Sequence, residues 1–200
     1  MTKDGFHYTR YADDVVVLAE TEVRARDALE RIGLLAGELR LTQSLEKSKI
    51  IAPGEAFEFL GYSIKGTDVS IRPYAINSLR RRITRITAKR KYPRLSVRSL
   101  ATEDGRMALQ SIIARVNRAY IYKGENDRTR HFCRCTSDRQ LRELDGWIAD
   151  RIRMTVTKRW AEKNRRLVPY GLLRELGWRP LVPLYYRWRR EVWRQGTSSS

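Results

Sequence analysis

Apolar and polar positions first alternate, then recur at helical spacing. His7 to Ala19 reads as strand, tight turn, strand, with Ala12-Asp13-Asp14 at the turn and Val15-Val16-Val17-Leu18 behind it. From Thr21 to Arg40 the period lengthens: Leu29, Ile32, Ala36 and Leu39 share a helical stripe, and Thr21 is placed to cap it. Ser48 to Ala52 reads as a short strand closed by Pro53-Gly54. Phe57 to Ile64 alternates loosely, Lys65-Gly66-Thr67-Asp68 supplies turn residues, and Val69-Ser70-Ile71 follows, which together predict a second hairpin.

Beyond Pro73 the pattern is helical. Ile76, Leu79, Ile83 and Ile86 lie on one face, while Arg80, Arg81, Arg82, Arg85, Lys89, Arg90 and Lys91 largely occupy the rest. A helix over 105–122 turns Leu109, Ile112, Ile113, Val116 and Tyr120 inward, and another over 137–160 does so with Leu141, Leu144, Ile148 and Ile152. Tyr170 to Leu176 predicts a short helix ending at Gly177. The tail 196–200 has no means of ordering itself. The expected fold class is α+β, with antiparallel hairpins and one helix followed by an all-α region.

Charge sharpens the division. Residues 1–72 hold 10 Lys/Arg against 12 Asp/Glu, a net −2; residues 73–200 hold 31 against 11, a net +20, and all five Trp. This places a boundary near Ile71-Arg72-Pro73, giving domains 1–72 and 73–195 and the tail 196–200. A region at +20 repels itself without a counter-anion, which implies a polyanionic partner, either nucleic acid or an anionic membrane surface. Interspersed aromatics suit RNA, where guanidinium groups grip phosphate and rings stack on unpaired bases, with helix-packing core as the alternative reading of the Trp residues. The expected binding set is Arg80, Arg81, Arg82, Arg85, Lys89, Arg90, Lys91, Arg151, Arg153, Lys158 and Arg159. No apolar run approaches a membrane span, which excludes that class. Cys133 and Cys135 are too few for a disulfide framework, so a reducing cytoplasm is the default. His131-Phe132-Cys133-Arg134-Cys135 lacks the second ligand pair that zinc requires.

The acidic pair is the most specific chemical signal. Neighbouring carboxylates in an apolar hairpin repel each other and lose hydration on burial, so Asp13 and Asp14 point to a bound cation. A polar hairpin turn is the alternative reading.

Tyr11-Ala12-Asp13-Asp14 at a strand turn resembles the catalytic box in the palm of reverse transcriptases. Leu45-Glu46-Lys47-Ser48-Lys49-Ile50 is similar to the next block of that family, and Phe57-Glu58-Phe59-Leu60-Gly61-Tyr62 to its primer-grip hairpin. The basic helical region resembles the thumb, or maturase, domain of group II intron proteins, above all at Leu144-Asp145-Gly146-Trp147-Ile148-Ala149-Asp150-Arg151-Ile152-Arg153.

The resemblance implies a C-terminal fragment of an RNA-directed DNA polymerase. Asp13 and Asp14 would hold Mg²⁺ or Mn²⁺, Lys47 would act near the incoming deoxynucleoside triphosphate, and Phe59, Leu60, Gly61 and Tyr62 would grip a DNA primer. It also implies fingers and a further catalytic aspartate N-terminal to residue 1, which a separate polypeptide would have to supply. The alternative is a maturase-like RNA-binding module without polymerase activity of its own. Gly61 within a strand further predicts a bulge or a close backbone approach.

Overall fold

The structure, a computed structural model, describes residues 6–44, 46–88, 91–93, 95–121 and 132–196. Lys89, Arg90, His131, the expected end of a helix at Tyr122 and residues 197–200 of the expected tail lie outside the described residues. The described chain is mixed α+β and divides into two units, residues 1–60 with 64–66, and residues 61–63 with 67–200.

In the first unit, β1 (His7–Tyr11) and β2 (Asp14–Leu18) pair antiparallel, with Tyr11 opposite Asp14 and His7 opposite Leu18. The two-residue turn Ala12-Asp13 carries Ala12 at φ +53°, and Arg10 Nε donates to the Ala12 carbonyl at 2.8 Å. The helix α1 (Glu22–Glu38) starts where expected, with Arg24 N–H donating to Thr21 Oγ1 at 3.2 Å. Ala28 is buried, and Phe6 is buried beneath the Arg24 guanidinium, 4.4 Å from its ring centre. Leu39 departs from the expected stripe. It is the C-cap of α1, outside the helical register, and is exposed.

Ser48 to Ala52 is not a strand. Main-chain pairing makes a strand, and the contacts there are local: Ser48 N–H donates to Ser44 O at 3.0 Å and Ala52 N–H to Glu55 Oε2 at 3.3 Å. The segment from Phe57 contains two turns rather than one. β3 (Phe57–Phe59), β4 (Tyr62–Lys65) and β5 (Asp68–Ile71) form a sheet in that order. Gly61 is therefore a turn residue and not a bulge within a strand. Leu60 and Gly61 sit at φ +49° and +86°, the pair of left-handed residues that a tight hairpin requires.

The second unit is helical: α2 (Pro73–Ile86), α3 (Glu103–Asn117), α4 (Arg139–Thr157), α5 (Asn164–Leu167), α6 (Tyr170–Glu175) and α7 (Leu181–Gly196). Pro73 opens α2 at its first position, where its missing N–H costs no hydrogen bond. Thr102 caps α3, accepting Gly105 N–H at 3.2 Å, and Glu103 and Asp104 sit at the positive end of the helix dipole. The central helix α4 packs against α2, α3, α5 and α7. Its expected stripe of Leu141, Leu144, Ile148 and Ile152 is fully buried, as are Leu109, Ile112, Ile113, Val116 and Tyr120.

After α6, Gly177 adopts φ +93° and donates to Arg174 O, while Trp178 N–H donates to Leu173 O at 2.9 Å, closing the helix in a Schellman motif. Trp178 is core: its Nε1 donates to Tyr120 Oη at 3.1 Å, and that hydroxyl donates to Arg179 O at 2.7 Å. The helix α7 has no counterpart in the expected elements. The charge boundary at Pro73 also differs from the packing boundary, since β5 hydrogen-bonds into the second unit: Ile71 N–H donates to Gln140 Oε1 at 2.9 Å and Val69 N–H to Thr136 Oγ1 at 3.1 Å.

Candidate nucleic-acid interface

On the apolar side of α2, Ile83 is buried and Ile76, Leu79 and Ile86 are half-buried, and the other side leaves a polar stripe. Asn77, Arg80, Arg81, Thr84 and Arg85 recur at positions i, i+3, i+4, i+7 and i+8, which places them on one helical face. They line an open groove of about 460 Å³. Three guanidinium groups line one groove and can each grip a phosphate, and Asn77 and Thr84 add neutral hydrogen-bonding groups.

An aromatic side chain from another helix completes the groove's surroundings. Trp147 of α4 is half-buried, with the Arg80 guanidinium 5.7 Å and the Arg151 guanidinium 5.9 Å from its ring. Arg151 is fixed in place: its Nε donates to Thr87 Oγ1 at 3.2 Å and its Nη2 to Thr84 O at 3.3 Å, and burial lowers its pKa. Arg80 Nε is buried with no hydrogen-bond partner among the described residues. An aromatic plane beside fixed cations can stack a base while the guanidinium groups hold phosphate. Trp147, Asn77 and Thr84 are absent from the expected binding set. The stripe on α2 is legible in helical spacing, whereas the approach of Trp147 to Arg80 is a tertiary contact with no local signal.

The other expected basic residues divide. Arg81 and Arg85 are exposed, and Arg81 lies 5.9 Å from the Tyr74 ring. Arg82, adjacent in sequence, instead reaches the end of α3, where its Nη1 donates to Ala119 O at 3.3 Å. Lys91 and Arg159 are exposed. Arg153 is a correction: it is buried and does not face solvent. Its Nε donates to Val168 O at 2.8 Å and its Nη1 pairs with Asp150 Oδ1 at 2.8 Å, because the helical register of α4 turns it toward the 164–168 segment. Lys158 is likewise committed to the protein. Its Nζ donates to the carbonyls of Tyr92 and Thr155, and burial lowers its pKa.

The residues expected to carry polymerase chemistry lie elsewhere in the chain. Asp13 and Asp14 are both exposed at the β1–β2 turn, so the burial cost that made them a cation site does not arise in this structure. Neither carboxylate has a hydrogen bond or ion pair among the described residues. Lys47 is exposed on a turn after α1, its N–H donating to Ser44 O at 3.1 Å. Phe59 is half-buried in β3, Leu60 is exposed, and Tyr62 is buried with its pKa pushed up to about 12, chiefly by desolvation. Among the described residues no group of three or more His, Cys, Asp or Glu side chains is gathered as a metal site. Among them, too, no helix is long and apolar enough to cross a membrane.

No protein-family model and no curated protein matches the chain.

Proposed function

We propose that the chain binds RNA through the arginine-lined face of α2, as the thumb-like part of a group II intron-type reverse transcriptase or maturase. The observation that carries this reading is the stripe Asn77, Arg80, Arg81, Thr84 and Arg85 along one groove, with Trp147 beside it. The family assignment rests on the motif resemblance and RNA as the ligand on the groove's chemistry.

The test is binding of a structured and a single-stranded RNA by the full chain from about 50 to 200 mM salt, where phosphate-driven affinity falls steeply. The double substitution Arg81→Ala/Arg85→Ala is expected to weaken binding more than tenfold and to flatten the salt dependence. Both side chains are exposed, so the fold is spared. Unchanged affinity in that variant would remove the reading.

A second reading rests on a separate observation: two adjacent, exposed and unpartnered carboxylates at one hairpin turn. In it, Asp13 and Asp14 contribute to a divalent-metal site for nucleotidyl transfer. Two-metal catalysis needs carboxylates flanking both ions, and the described residues offer only this pair at the turn. The donor set does not complete the site, and no reaction step is assigned to it. Lys47, the primer-grip residues Phe59 to Tyr62, a DNA primer and deoxynucleoside triphosphates belong to this second reading, together with a partner polypeptide supplying further carboxylates.

A further inference from the structure

A second concavity, which shares no lining residue with the α2 groove, lies beside the C-terminal half of α4. It measures about 230 Å³ and is lined by Asp150, Trp160, Ala161, Glu162, Asn164 and Arg165. That is below the roughly 300–1,000 Å³ of sites that take whole small molecules, and on the scale of a single flat ring system.

Its lining is chemically mixed in a particular way. Trp160 is 54% exposed, a large aromatic left out of the core. Asp150 is already neutralised twice, by Arg153 Nη1 at 2.8 Å and by Arg165 Nη2 at 3.4 Å. Glu162 is exposed and makes no ion pair among the described residues. Asn164 is 3% exposed; its Nδ2 donates to Arg159 O at 2.6 Å, which fixes the amide orientation and leaves Oδ1 buried without a partner. A buried acceptor without a donor is costly, so the site lacks an N–H or O–H group.

A ligand that fits must be flat for Trp160, donate to Glu162 and to Asn164 Oδ1, and accept from Arg165. Guanine has this pattern. Its N1–H and N2–H₂ present adjacent donors that a carboxylate accepts in parallel, and its O6 and N7 are the acceptors arginine reads. Adenine, cytosine and uracil each turn an acceptor toward the carboxylate where guanine turns a donor.

We propose that this cleft binds a guanine base, stacked on Trp160, with its N1–H and one N2–H on Glu162, the second N2–H toward Asn164 Oδ1, and its O6/N7 edge toward Arg165. The base comes either from an unpaired guanosine in RNA or from a free guanine nucleotide. The proposal stands on the cleft alone and does not rest on the α2 groove.

The test is equilibrium binding of the full chain to guanosine, adenosine, cytidine and uridine, nucleosides that carry no phosphate for the basic surface to attract. Guanosine is expected to bind at least tenfold tighter than the others. Glu162→Gln and Trp160→Ala, both at exposed side chains, should each lower guanosine affinity at least tenfold with the helical circular dichroism unchanged. Arg81→Ala/Arg85→Ala should leave it within twofold, so failure of the α2 reading and failure of this one separate cleanly. A further arm compares oligouridine with the same oligomer carrying one guanosine: a matching preference assigns the RNA source, and preference for the nucleoside alone assigns the free ligand. Equal binding of all four nucleosides, indifference to both cleft variants, or displacement by methylguanidinium with no guanosine binding would each overturn the proposal.

Discussion

Asp145 accepts the backbone N–H of Leu181 at 2.7 Å, and its second oxygen accepts that of Val182 at 3.0 Å. A side chain in the middle of α4 thereby caps the first turn of α7, joining the two helices through residues 36 apart in sequence. Both N–H groups belong to the set that a helix start leaves without intrahelical partners.

The same carboxylate makes stability depend on pH. Desolvation by burial raises the Asp145 pKa from 3.8 to about 6, opposed by the Leu181 and Val182 N–H groups. The folded chain therefore binds a proton more readily than the unfolded chain. The contribution of this group to stability is fully present below about pH 4 and is lost as pH rises through about 6. A shift of about two units corresponds to on the order of 3 kcal/mol. Urea unfolding of the native chain and of Asp145→Asn at pH 4, 5, 6 and 7 should show the native chain losing stability relative to the variant by that order as the pH rises. Asp145→Ala, which leaves both N–H groups bare, should cost about 2 kcal/mol at pH 7.

The cap also explains why α7 was not legible in the sequence. Pro183 falls in the first turn of α7, where no intrahelical N–H is lost, and the capping acid sits far upstream. Local signals did specify α1 and α6, through Thr21 and Gly177, whereas α3 starts at Glu103, capped by Thr102, ahead of the expected Gly105. The stripe Asn77 to Arg85 follows from periodicity alone. What periodicity could not resolve is which cations the protein keeps for itself. Arg153 and Lys158 have the same composition signal as Arg81 and Arg85, and only tertiary packing turns the first pair onto main-chain carbonyls.

Arg153 should be a stability residue rather than a binding one. Its guanidinium is buried and holds Asp150 and the Val168 carbonyl together. Removing one partner of a buried pair strands the other's charge, so Arg153→Ala should cost about 3 kcal/mol or more in urea unfolding. Arg165, 3.4 Å from the other Asp150 oxygen, limits the loss. RNA affinity of the folded fraction should be unchanged within twofold.

Two glycines should respond in opposite directions to alanine. A Cβ at Gly105 would lie 1.9 Å from the Ser99 carbonyl oxygen, because the turn of 3-10 helix at Arg98–Ala101 lies against the start of α3. Gly105→Ala must push backbone aside and should destabilise by about 3 kcal/mol. At Gly146, inside α4, the same Cβ meets nothing within 4 Å. Gly146→Ala should stabilise by about 0.5–1 kcal/mol through helix propensity alone. Paired thermal melts of the two variants check both signs.

The acidic turn and the basic helix should separate functionally. Asp13 and Asp14 sit on the β1–β2 turn, while the proposed phosphate contacts sit on α2. Asp13→Asn should therefore spare salt-sensitive RNA binding, and the full chain alone, with Mg²⁺, should bind RNA without extending a primer. Robust extension by the chain alone would show that the carboxylate set is complete without a partner polypeptide. Loss of RNA binding in Asp13→Asn with the fold intact would show that the two features act as one site.

Within the triplet Arg80-Arg81-Arg82, neighbouring identical residues should differ in effect. A helix advances about 100° per residue, so Arg81 lies over the groove while Arg82 turns toward Ala119 O, 3.3 Å from its Nη1. Arg81→Ala should lower the salt slope of RNA binding by about 0.7 to 0.9, the loss of one phosphate contact. Arg82→Ala should leave that slope unchanged and instead lower stability by about 1 kcal/mol, through the lost hydrogen bond from a charged donor. Arg80→Ala combines the two, because its guanidinium both lines the groove and lies beside Trp147. Measured as salt titrations and urea midpoints on the three single variants, the order for binding is Arg81 and Arg80 above Arg82, and the order for stability places Arg81 last.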